Sequence, residues 1–362
     1  MWSRRQFLVS GGLSLFSLHA SAGQGFSQER DALPDGSQAK DMITPAAQLA
    51  IDQGLSYLVS RQHRDGAFGT QQYHGNVAIT SLAGLALMAA GHQPRRGAYG
   101  RTVEKALRYV IDQDNGQGYL LSKTGYSHGP MYEHGFGTLF LSEVYGMVHD
   151  RPLRDQLRET IKRAIKLIVQ SQNSEGGWRY QPVSRDADVS VTICQIMALR
   201  AARNAGFFVP KTTVDRCIGY VKNCQNRDGG FRYQQQGGPS QFARSAAGVV
   251  ALYSAGVYHS PEITRGLQYL LRFKPHGGLI PPDVNLHYFY GHYYAAQAMW
   301  TAGAPYWNEW YPAIREELLN HPDLHRQGNS YWMDHRFSSD YATAMACIIL
   351  QIPNNYLPIL QK

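Results

Sequence analysis

The sequence predicts an all-α fold, an α/α toroid of about six helical hairpins closed into an (α/α)6 barrel. Three observations predict it. A Gly-plus-aromatic turn recurs six times at near-regular spacing, helices with a charged face alternate with helices almost free of charge, and the first and last units look like the middle ones. Such a period marks a repeat architecture in which each unit buries its apolar surface against its neighbours. An open stack needs polar end repeats to cover its exposed ends, so without them closure is the better solution.

The turns fall at Gly66/Phe68, Gly118/Tyr119, Gly177/Trp178, Gly230/Phe231, Gly278/Leu279 and Asn329/Trp332, spaced 52, 59, 53, 48 and 51 residues apart. Before each turn the sequence reads as an amphipathic helix, over 44–62, 101–114, 155–173, 212–225, 261–274 and 307–320, with Arg, Lys, Glu and Gln along one face. These are outer helices. Thr44-Pro45 and Ser260-Pro261 place a cap residue and a proline at two of their starts. After each turn and a loop of variable length comes a second helix, near 77–91, 134–147, 188–204, 241–255, 288–302 and 340–351. Stretches such as VAITSLAGLALMAAG and YATAMACIIL are apolar on all faces and rich in small residues, which predicts buried, closely packed inner helices. Gly91, Gly256 and Gly303 stand where a left-handed cap would end three of them.

The chain begins MWSRRQFLVSGGLSLFSLHASAG, with Arg4-Arg5, an apolar run from Phe7 to Leu18 and the small-residue site Ala20-Ser21-Ala22. Residues 1–22 read as a twin-arginine export signal, so an exported, periplasmic or extracellular protein is expected. Residues 23–42 are polar and aperiodic and read as a flexible lead-in, leaving 43–362 for the toroid. No later segment offers the ~20 apolar residues of a membrane span, so no transmembrane segment is expected in the mature chain. The net charge of +8 is scattered, with no basic run longer than two residues, which argues against nucleic acid as a partner. The four cysteines lie on helical patterns without C-x-x-C spacing and read as buried free thiols.

Three turns, Gln62-His-Arg-Asp-Gly66-Ala-Phe68, Gln172-Asn-Ser-Glu-Gly176-Gly-Trp178 and Gln225-Asn-Arg-Asp-Gly229-Gly-Phe231, share Gln-x3-Gly-x-aromatic. The pattern resembles the QW repeat of squalene and oxidosqualene cyclases and the related repeats of protein prenyltransferase β subunits. Its physical content is local: Gln can bond the last carbonyls of the outer helix, Gly turns the chain, and the aromatic packs over the helix end. The motif speaks for a toroid and leaves the reaction open.

The resemblance implies a cavity lined by the N-terminal ends of the inner helices and the loops before them. Those places hold His74, Tyr132, Glu133, His134, Asp186, Asp188, Arg244, His287, Tyr290, His292 and Asp340, with Asp334 and His335 beside the last. Carboxylates there also suit plain helix capping. Asp186-Ala-Asp188-Val189-Ser190-Val-Thr resembles the Asp-x-Asp-Asp-Thr motif of class II cyclases, with Val189 at the third acidic position; by that resemblance Asp188 is the candidate general acid and Asp186 its companion.

His292 resembles the histidine zinc ligand of protein prenyltransferases, yet Ser240-Gln-Phe-Ala-Arg-Ser supplies neither the Asp nor the Cys, so no metal and no cofactor is expected. The expected function is that of an exported cavity enzyme for a hydrophobic, isoprenoid-type ligand. Two alternatives stand beside it: a non-catalytic toroid that binds a ligand or a protein, and a polysaccharide-acting α/α-barrel enzyme using Glu133, Asp188, His134, Tyr290 and Arg244 for acid–base work.

Overall fold

In the computed structural model, residues 39, 41–183, 185–326 and 331–361 are described. The expected export signal lies outside them, as does the lead-in apart from Ala39, Asp41 and Met42. The outer helices are α1 (Pro45–Arg61), α3 (Gly100–Asp112), α5 (Arg151–Ser171), α7 (Lys211–Asn223), α9 (Pro261–Leu271) and α12 (Ala304–Asn320). The inner helices are α2 (Val77–Ala89), α4 (Pro130–Val144), α6 (Val189–Asn204), α8 (Phe242–Ser254), α11 (Tyr288–Ala302) and α13 (Ser339–Gln351). A short α10 (Pro282–Asn285) precedes α11, and strands β1 (His325–Arg326) and β2 (Tyr331–Trp332) form a small antiparallel hairpin.

Each inner helix packs on the next, and α13 returns to α2, so the ring is closed. The protein is an all-α toroid. Small residues permit the close approach of inner helices: a Cβ added at Gly135 of α4 would come within 2.7 Å of the Cys194 Cβ on α6. The four cysteines are buried free thiols. Thr44 and Ser260 cap α1 and α9 through their hydroxyls, and Gly91, Gly256 and Gly303 have positive φ at helix ends.

The turns join neighbouring units rather than sealing their own helix. Gln172 Nε2 donates to the Gly176 carbonyl at 2.8 Å and to the Thr213 carbonyl, in the first turn of the next outer helix, at 2.9 Å. Gln62 does the same to Gly66 and Thr102, and Gln225 to Gly229 and Glu262. The expectation that Gln bonds the last carbonyls of its own helix is thereby corrected. The aromatic that follows is fixed through its backbone: the N–H groups of Phe68, Trp178, Phe231 and Trp332 donate to the hydroxyls of Thr80, Thr192, Ser245 and Thr343 on the inner helices. In the second unit Leu120 takes that seat in place of Tyr119, and its N–H meets His134 Nδ1 at 3.3 Å.

Several elements depart from the sequence reading, α10, the β1–β2 strands and the start of α5 at Arg151 among them, and two further departures bear on the site and the turns. Helix α4 starts at Pro130 rather than 134, because Pro at the first helical position is pre-set for a helix start. Tyr132, Glu133 and His134 are therefore in its first turns. In the fifth unit Leu279 is 90 % exposed and packs over no helix end.

The chain end crosses the face of the ring at the C-terminal ends of the inner helices. Gln351 and Asn354 donate to the carbonyls of Ala86 and Ala89 on α2, Trp300 of α11 donates to Leu360, and the Ile359 N–H donates to Glu143 of α4. Arg200 of α6 reaches Gln361. No described helix is long and apolar enough to cross a membrane.

Candidate functional site

All six inner helices contribute, near their N-terminal ends, to a central cavity of about 180 Å3. Helix α2 supplies Ala78, Ile79 and Leu82, α4 supplies Tyr132, Glu133 and Phe136, and Ser190, Ala243, Arg244, Tyr290 and Tyr341 come from the other four. Tyr73, Asn76, Ser127, His128, Gly129, Tyr233, Gln241, His287 and Phe337 complete the wall from the loops. Most of that surface is ring and hydrocarbon. Tyr132 stands edge-on to Tyr290 with centroids 6.4 Å apart, and His128 meets Phe337 edge-on at 5.8 Å. Tyr290 is fixed by donating its hydroxyl to the Ser190 carbonyl at 2.8 Å.

Against this apolar wall stand few charged groups. Glu133 is buried, and its Oε2 accepts the N–H groups of Val77 at 2.9 Å and Ser122 at 3.2 Å. Its Oε1 has no hydrogen-bond partner. Burial pushes its pKa above the ordinary carboxyl value, against the pull of the Ser127 hydroxyl and of those two N–H groups. Arg244 lies over the Tyr233 ring at 5.4 Å and bonds Gln241, without a carboxylate partner. Burial lowers the pKa of His287, and the charges of Arg336 and Arg244 beside it act in the same direction, so its imidazole is neutral near pH 7.

Of the residues expected on the wall, Tyr132, Glu133, Arg244, His287 and Tyr290 are there, and His74, His134, His292 and Asp340 are not. His74 is exposed and packs against His63, the rings tilted by 47° with centroids 4.2 Å apart. His134 is a core residue that takes the place of the seat hydroxyl: Nδ1 accepts from Leu120, so Nε2 carries the proton toward the Ala164 carbonyl at 3.3 Å. Burial holds its pKa down to about 4. Asp340 ties the ends of the ring together, accepting the Gly69 N–H at 2.9 Å and the Tyr57 hydroxyl at 3.4 Å with Arg61 3.7 Å away.

Asp186 and Asp188 also stand off the wall. Asp186 is exposed and pairs with Arg179 at 2.7 Å. Asp188 is fully buried as the cap of α6: Oδ1 accepts the Val191 N–H at 2.8 Å, and Oδ2 faces Arg179 Nε at 3.4 Å. Burial pushes its pKa up to about 6, while the Val191 N–H and the Arg179 charge pull it down. Arg179 is itself placed by the Tyr180 and Tyr233 rings, 5.1 and 5.4 Å from its guanidinium.

His292 is enclosed by Tyr288, Phe242 and Trp310, with ring centroids 4.4, 4.8 and 5.9 Å away. Neither ring nitrogen has a hydrogen-bond partner, and burial drives its pKa down to about 3. Among the described residues no group of three His, Cys, Asp or Glu is placed to hold a metal ion. An imidazole buried without partners costs about 1–3 kcal/mol, so His292→Phe raises the stability by about 1 kcal/mol. Thermal melting of the two proteins checks this, and a lower melting temperature in the variant would contradict it.

Residues 153–308 match the squalene-hopene cyclase C-terminal domain and residues 38–119 the prenyltransferase alpha-alpha toroid domain. A drimenyl diphosphate synthase of Streptomyces showdoensis is 26% identical over 193 residues. That stretch is 52% of this chain and 33% of the relative, so the chain spans about a third of the curated relative it matches. A type II terpene cyclase from Scytonema, in complex with geranylgeranyl dihydroxybenzoate, superposes with a TM-score of 0.57 at 14% identity, covering 86% of this chain and 98% of that one. An α-1,6-mannanase of Salegentibacter, in complex with α-1,6-mannotriose, does so with a TM-score of 0.59 at 9% identity, covering 86% and 98%. Both structural likenesses speak to fold alone. With its closed ring, its unit-joining Gln turns and its matches to two domain families, the chain is similar to the α/α toroids of terpene cyclases and protein prenyltransferases.

Proposed function

We propose that the protein is an exported cavity enzyme that takes an isoprenoid-type hydrocarbon into the central chamber and starts its chemistry by proton transfer from a buried carboxyl group. One observation carries this reading: a largely apolar wall rich in Tyr and Phe rings holds a buried carboxyl oxygen, Glu133 Oε1, that has no hydrogen-bond partner within 3.5 Å among the described residues. Ring faces stabilise a cation formed among them, and a desolvated carboxyl keeps its proton until one is needed. Two buried carboxyls are available, Glu133 on the wall and Asp188, the residue that the cyclase resemblance nominates, behind it. Export rests on the Arg4-Arg5 leader, and a twin-arginine-dependent reporter fused to residues 1–42 tests it.

The ligand class is tested by calorimetry with farnesyl diphosphate and geranylgeraniol. Ala78 lines the cavity near the start of α2. An indole there fills the space a prenyl chain would use, so Ala78→Trp weakens binding at least about tenfold, or about 1.4 kcal/mol. Equal affinity in the variant would place the ligand elsewhere.

A polysaccharide reading has one observation in its favour, the polar edge of Arg244, His287 and His128 on the same wall. It requires binding of a neutral oligosaccharide such as α-1,6-mannotriose. Prenyl binding without mannotriose binding decides for the first reading.

A further inference from the structure

Resting on the isoprenoid reading above, the two oxygens of Glu133 have divided tasks. Oε2 lies at the start of α2, where it accepts the N–H of Val77, the first residue of that helix, at 2.9 Å and the N–H of Ser122 at 3.2 Å. The Val77 N–H at the positive end of the α2 dipole, together with the loop N–H of Ser122, stabilises the negative charge that remains after a proton leaves. Oε1 has no partner within 3.5 Å among the described residues, the residue is only 1 % exposed, and it lines the cavity beside Ser127, whose hydroxyl acts on the same carboxyl group.

Asp188 is placed differently. Oδ1 is spent on the cap of its own helix, and Oδ2, also without a hydrogen-bond partner among the described residues, faces the Arg179 guanidinium at 3.4 Å and stands off the cavity wall. Ser190, two residues on, is the nearest part of that segment to reach the wall.

We propose that Glu133 is the catalytic acid of the cavity, donating the proton on Oε1 to a carbon–carbon double bond of the bound prenyl chain, and that Asp188 is a structural cap. In that step the Oε1–H bond breaks and the π pair of the alkene forms a new C–H bond. The adjoining carbon becomes a tertiary cation among the rings of Tyr132, Phe136 and Tyr290, and Glu133 is left as a carboxylate held by the Val77 and Ser122 N–H groups. Water takes a proton from a carbon beside the final cation, where the C–H pair forms a new double bond, and the resulting hydronium returns a proton to the Glu133 carboxylate. The net change is an isomerisation that needs no oxidant or second reactant.

The test uses the mature chain with farnesyl diphosphate or geranylgeraniol in D2O, and dimethylfarnesylamine as a binding probe whose ammonium group imitates the cation. The wild type is expected to place one deuterium on the carbon protonated first. Glu133→Gln keeps an oxygen for the two N–H groups and is expected to lose turnover about 100-fold, with amine binding about tenfold weaker, while Asp188→Asn keeps both within about threefold. Turnover within threefold of wild type in folded E133Q, or loss of turnover in folded D188N, overturns the assignment while leaving the isoprenoid reading standing. Should E133Q not fold, D188N decides alone, with retained turnover in support. If the wild type neither binds the amine nor converts either prenyl compound, the isoprenoid reading falls and this assignment with it.

Discussion

Gly176→Ala lowers the unfolding free energy by on the order of 3 kcal/mol or more, whereas Gly116→Ala costs about 1 kcal/mol. Both glycines have positive φ, 102° and 88°, so both lose the conformation that L side chains rarely adopt. They differ in what a methyl group would meet. At Gly176 an added Cβ falls 2.2 Å from the Arg216 carbonyl oxygen, a backbone atom of the next outer helix, and at Gly116 nothing lies within 4 Å. The clash therefore pushes α5 and α7 apart at the joint that the Gln172 side chain bridges. Denaturant unfolding of both variants checks the pair. Equal losses would mean that the approach of the turn to Arg216 relaxes freely and that the turn does not hold neighbouring units together.

The same joint shows why the sequence carried the architecture so far. Its residues act locally or at one fixed distance along the repeat, so the Gln-x3-Gly-x-aromatic pattern, the cap at Thr44 and the glycine ends of the inner helices could be read from spacing alone. What spacing does not carry is the partner across the joint, such as the Thr213 carbonyl that Gln172 reaches. The start of α4 was present in the sequence as Gly129-Pro130, a signal outweighed by the apolar run that begins later.

The candidate site was legible in part, and on α4 the reading divides between adjacent residues. Glu133 and His134 are neighbours on α4, about 100° apart around its axis at 3.6 residues per turn. One faces the cavity, and the other accepts the Leu120 N–H inside the hairpin. Tyr290 and His292 divide in the same way on α11. Loop residues such as His128, Tyr233 and Phe337 had no signal at all, because the path of a loop is set by the helices it crosses and not by its own composition.

Glu143→Gln is expected to raise the stability at pH 8 by on the order of 3 kcal/mol and to leave it unchanged at pH 4.5. Glu143 is buried where the chain end crosses the ring, with Oε2 accepting the Ile359 N–H at 3.1 Å. Burial pushes its pKa from 4.5 up to about 7, since that hydrogen bond and the charge of Arg200 only partly offset the loss of water. Between those two values the folded chain keeps a proton that the unfolded chain has released. Stability therefore falls as pH rises through that window, is level above about 7, and is greatest on its acid side. A neutral glutamine accepts the Ile359 N–H at every pH and removes this contribution, so the difference between the two proteins isolates Glu143 from the other carboxyls. Urea titrations at pH 4.5, 6 and 8 measure it. Parallel stability curves for wild type and variant would show that Glu143 ionises in the folded protein at no cost, and that the chain end is not held by a protonated carboxyl.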